Sequence, residues 1–69
     1  MQQDWKIGVA EEKQELDLKI EKLESFMKKA PGDLSVSCHM LYLLSEQLMT
    51  MKRYSYILER RLNDDITTF

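Results

Sequence analysis

The residues best placed to do chemistry lie in "EQLMTMKRYSYILERRL", positions 46–62, where Lys52, Arg53, Arg60 and Arg61 are interleaved with Tyr54 and Tyr56. Arginine offers a bidentate donor fork to phosphate or carboxylate, and tyrosine can stack on a base. At helical spacing the stretch separates into two rows. Lys52, Tyr56 and Arg60 recur every four residues and read as a solvated face, together with Arg53. Gln47, Tyr54 and Arg61 straddle the apolar positions Met51 and Leu58, so an amide, a phenol and a guanidinium border the core. Two readings follow. Tyr54 and Arg61 either cover the edge of a bundle and pair with glutamates of another helix, or they line a pocket between subunits for a small anionic ligand such as a nucleotide.

The elements that must position this row are helices. The pair Pro31-Gly32 divides the chain. Before it, "VAEEKQELDLKIEKLESFMKK" is built from strong helix formers. Val9, Leu16, Ile20, Leu23 and Met27 form one apolar stripe, with Lys13 in one slot. Glu15 with Lys19 and Glu24 with Lys28 stand four apart in the favourable order, and Lys28 and Lys29 suit the C-terminal end of the helix dipole. Asp4 is the expected N-cap. After the break, Leu41, Leu44, Leu48, Met51, Ser55, Leu58 and Leu62 form a second stripe, flanked by Met40, Leu43, Gln47, Tyr54, Ile57 and Arg61. Asp33, Ser35 and Ser37 are alternative caps for this helix. The spacing predicts helix one over about 4–29, a loop over about 30–36, helix two over about 37–63 and a short tail ending "ITTF", all within a single domain spanning 1–69.

Two helices joined by a short loop favour an antiparallel hairpin, so the expected fold class is all-α. The apolar arc of helix two is wider than one partner helix can cover. At 69 residues a single core rarely supplies more than about 3–5 kcal/mol. The one cysteine, Cys38, excludes an intramolecular disulfide. Assembly of hairpins into a homo-oligomeric bundle is the expected source of the missing stability.

Other function classes find little support. Cys38 and His39 point to different sides of a helix and make no natural ligand pair, so no metal site is expected; their plain readings are a small buried residue and a helix-start residue. The chain has no glycine-rich phosphate loop, HExxH, nucleophile elbow or CxxC, and its carboxylates sit on a solvated helix face. Neither enzymatic activity nor a cofactor is expected. The net charge is −2, although positions 47–61 carry four cations against Glu59 alone. No helix-turn-helix spacing precedes that run, which disfavours duplex nucleic acid. No apolar run approaches the roughly 20 residues that span a bilayer, and "MQQDWKIGVAEEK" lacks a signal-peptide pattern.

"VAEEKQELDLKIEKLESFM" followed by "LLSEQLMTMKRYSYILERRL" resembles a family of very small helical-hairpin proteins of tailed phages and prophages. That family's pattern is matched in helix one by Val9, Glu12, Glu15, Leu16, Lys19, Ile20, Leu23 and Phe26. In helix two it is matched by Leu44, Gln47, Leu48, Met51, Tyr54, Ile57, Leu58 and Arg61. Gly8 stands where the pattern has arginine. The resemblance implies a phage accessory protein acting against host defence in the host cytoplasm. One mechanism is sequestration of a small anionic nucleotide immune signal at subunit interfaces. Arg61 and Lys19 would then contact phosphate, Tyr54 would stack and Gln47 would read an edge. The alternatives are a helical inhibitor that blocks a host defence protein, and a structural or assembly factor.

Overall fold

The computed structural model describes residues 4–33 and 35–63, the side chain of Asp4 excepted. The Asp4 cap and the "ITTF" tail therefore lie outside the described residues. Helix α1 runs Asp4–Lys29, a short 3-10 helix follows over Ala30–Gly32, and helix α2 runs Cys38–Asn63. The two helices pack against each other as a hairpin, and no strand occurs among the described residues.

The connection is built from local hydrogen bonds. Pro31 sits in the first turn of the 3-10 helix, where its missing N–H costs nothing, and the Asp33 amide closes that turn on the Ala30 carbonyl at 2.9 Å. Ala30 is buried at the turn. The Asp33 carboxylate then accepts from the Ser35 amide at 2.9 Å and the Ser35 hydroxyl at 2.7 Å, which holds it below the usual carboxylate range. With Asp33 and Ser35 occupied by each other, the cap of α2 falls to Ser37. Its hydroxyl accepts from the Met40 amide at 3.0 Å and its carbonyl from the Leu41 amide at 3.0 Å. Cys38, expected as a small buried residue, is instead exposed in the first turn of α2.

The seam is narrow. Val9, Ile20, Ala30 and Leu58 are its buried apolar residues, and Leu58 is fully enclosed. Leu16, Leu23 and Met27 of α1 and Leu41, Leu44, Leu48, Met51 and Leu62 of α2 are half-buried along it. Lys13 occupies its slot in the α1 stripe because its ammonium reaches out to Asp17 at 2.7 Å and to Glu59 of α2 at 3.5 Å. Neither helix is long and apolar enough to cross a membrane.

Candidate functional site

At about 100° per residue, Lys52 and Tyr54 fall on opposite flanks of the α2 stripe centred on Ser55 and Leu58. Their partners on α1 separate in the same way, which gives the hairpin two unlike broad faces.

One face is ionic. Lys13 and Asp17 pair within α1, Lys13 also reaches Glu59, and the buried Ser55 hydroxyl donates to Asp17. Two turns further along, the Lys52 ammonium meets Glu24 at 2.6 Å. The hydrogen bond from Lys13, followed by that from Ser55, holds the Asp17 carboxyl below the usual range. The same Lys13–Asp17 bond, with Glu59 adding to it, raises the lysine. Lys52 was expected on a solvated face. It is exposed, but it is tied across the hairpin, because α1 offers Glu24 within reach of its long side chain. A shallow concavity of about 360 Å³ opens on this face between Ala10, Lys13, Gln14, Asp17, Leu18, Glu21 and Leu62.

The opposite face carries all four expected ligand-binding residues. Tyr54 donates its hydroxyl to Glu12 of α1, which fixes this flank of α2 beside the Glu12 flank of α1. Lys19 follows Glu12 by two turns on that flank. Gln47 and Arg61 lie two turns to either side of Tyr54. Lys19, Gln47, Tyr54 and Arg61 are all exposed. Tyr54 thus takes the edge-covering role that was one of its two readings, while 41% of its surface stays open. Arg61 and Lys19 form no ion pair among the described residues. The Gln47 amide makes only a 3.8 Å contact to the Met51 sulfur.

Sharing a face is not convergence. Gln47 and Arg61 stand about 21 Å apart along α2 at about 1.5 Å per residue, and Tyr54 is about 10 Å from each. The pairs Lys13–Glu59 and Asp17–Ser55 set the level of α1 against α2, and they place Lys19 level with Arg53 and Tyr54. One hairpin therefore sets Lys19 level with Tyr54, whose hydroxyl is turned to Glu12, and leaves Gln47 and Arg61 at the ends of the row. The acidic partners Glu12, Asp17 and Glu24 were missed as parts of this architecture. Their signal was their position at the border of the α1 stripe, opposite Tyr54, Ser55 and Lys52.

The Sequestin family model matches residues 3–64, nearly the whole chain, and the family's name is consistent with a sequestering role. No curated protein and no solved structure matches the chain.

Proposed function

The chain belongs to the Sequestin family, and from that premise we propose that it is a non-enzymatic phage protein that sequesters a small anionic nucleotide signal between its own subunits in the host cytoplasm. The observation that carries this reading is the placement of Lys19, Gln47, Tyr54 and Arg61 along one exposed face, with both Lys19 and Arg61 free of ion pairs among the described residues. A guanidinium and an ammonium match phosphate oxygens, a half-exposed phenol ring supplies a stacking surface, and an exposed amide reads a base edge. The row is too long for one small ligand to touch all of it. The site needs a second subunit, which also meets the shortage of buried apolar surface in a lone hairpin.

The same face shows Met40, Leu43 and Ile57, so a host protein docked on it is the alternative reading. Isothermal titration against cyclic and linear nucleotides separates the two. Sequestration requires at least one ligand bound tighter than about 10 μM at physiological salt, about −7 kcal/mol. It also requires that Arg61→Ala abolish that binding while the helical circular-dichroism signal is kept. If no nucleotide binds and a stoichiometric host protein is captured from lysate instead, the sequestering reading is wrong.

A further inference from the structure

Helix α2 carries two heptad seams. The inward one, Leu41, Leu44, Leu48, Met51, Ser55, Leu58 and Leu62, is occupied by α1. One residue out of step runs Met40, Leu43, Gln47, Thr50, Tyr54, Ile57 and Arg61, with the same alternation of three and four. Every member of this second row is exposed, and its large hydrophobic members Met40, Leu43, Tyr54 and Ile57 are each 41 to 46% open. Such spacing fits another helix, and on this face α1 contributes Phe26 as its one exposed large hydrophobic residue among those described.

We propose that the occupant is α2 of a second copy, lying antiparallel across a two-fold axis between Gln47 and Thr50. In one register the row is its own complement. Met40 layers on the partner's Ile57, Leu43 on the partner's Tyr54, and Gln47 on the partner's Thr50, each layer occurring twice. The Thr50 hydroxyl already donates to the Glu46 carbonyl at 2.9 Å, which leaves its lone pairs to accept from the partner's Gln47 amide. Sliding by one heptad sets Leu43 on Arg61 or on Gln47, apolar against polar. A parallel pairing stacks Arg61 on Arg61.

Charge selects the same register. Glu46 and Arg53 both border the outer edge of this row, both are exposed, and their side chains form no ion pair among the described residues. Antiparallel pairing brings Glu46 beside the partner's Arg53, twice per dimer.

One consequence rests on the sequestering reading. The partner's Gln47 comes level with Thr50, about 6 Å along the axis from Tyr54 and Lys19, against about 10 Å for the chain's own Gln47. Each Tyr54 is then nearer the other copy's amide than its own, giving two equivalent sites per dimer.

Analytical ultracentrifugation of the full chain without nucleotide tests the pairing. The wild type should be dimeric at tens of micromolar. Glu46→Arg and Arg53→Glu should each raise the dissociation constant about tenfold, and the double variant should return to within about threefold of wild type. Tyr56→Glu, on the opposite flank of α2, should leave association unchanged. A monomeric wild type at about 100 μM, a double variant no better than the singles, or an equal loss from Tyr56→Glu overturns the register. A charge-swapped dimer that binds no nucleotide removes the sequestering reading alone. Nucleotide binding by a chain whose swap fails to rescue removes the register alone.

Discussion

Removing the Ser55 hydroxyl probes the ionic face at its most enclosed point. Ser55 is 8% exposed, and its hydroxyl donates to Asp17, which also holds Lys13 at 2.7 Å. A hydrogen bond to a charged group contributes about 1.5–3 kcal/mol. The Asp17 side chain is 41% exposed, so water replaces part of that, and Ser55→Ala should cost about 1 kcal/mol at pH 7. The alanine leaves no buried polar orphan, because Asp17 keeps Lys13 and solvent. The pH dependence is the sharper readout. Asp17 is held below its ordinary value, so its stabilising contribution is complete above the unfolded value of about 3.9. It is lost as pH falls through the still lower folded value. The variant should therefore lag wild type by about 1 kcal/mol at pH 7 and by a smaller margin at acid pH, once Asp17 is protonated in the folded chain. Urea unfolding followed at 222 nm reads this as a midpoint shift of about 1 M at neutral pH, given a slope of about 1 kcal/mol/M for a domain this small. Protein concentration must be held fixed, since the proposed self-association would shift apparent stability. No shift at pH 7, or the same shift at both pH values, would refute the assignment of Asp17 as the acceptor.

Two further substitutions separate core from surface. Leu58→Ala removes the one fully enclosed side chain among the described residues and should cost about 2–5 kcal/mol, comparable with everything a small domain has; thermal circular dichroism should show loss of the cooperative transition, with Leu58→Met retaining it. Lys52→Ala breaks the 2.6 Å pair with Glu24 at a position 54% exposed, so urea titration should find less than about 1 kcal/mol, shrinking further at about 1 M salt.

The helices and their stripes were legible in the sequence because both depend on local spacing. Val9, Leu16, Ile20, Leu23 and Met27 face inward at intervals that any α-helix would align, and Lys13 interrupts them without breaking the pattern. The cap of α2 was not legible, because Asp33, Ser35 and Ser37 are each competent acceptors. Ser37 is left with the role only once Asp33 and Ser35 close on each other. The stagger between helices was equally hidden. Whether Lys52 meets Glu24 or solvent depends on how far α2 slides along α1, and spacing within one helix carries no information about that slide. The row of Gln47, Tyr54 and Arg61 was readable from its seven-residue repeat. Its length, about 21 Å, exceeds what one small ligand can span.

The contrast between the two faces bears on how such a chain avoids open-ended association. A hairpin that used both broad faces to bind copies of itself would make heterologous contacts, and these extend into filaments unless they happen to close. Here the ionic face is already committed. Lys13, Asp17, Ser55 and Glu59 bond to one another across the hairpin, and Lys52 to Glu24, so a second copy docking there would have to desolvate groups that are already partnered. The other face keeps its apolar row open, with Glu46 and Arg53 along its outer border. A self-complementary row used once per subunit gives an isologous contact, which closes at two copies. Charges that fix the stagger of the hairpin on one side and their scarcity along the apolar row on the other are therefore two parts of one arrangement. The first defines which residues of α1 and α2 stand level, and the second is what the proposed pairing with a single second copy would use.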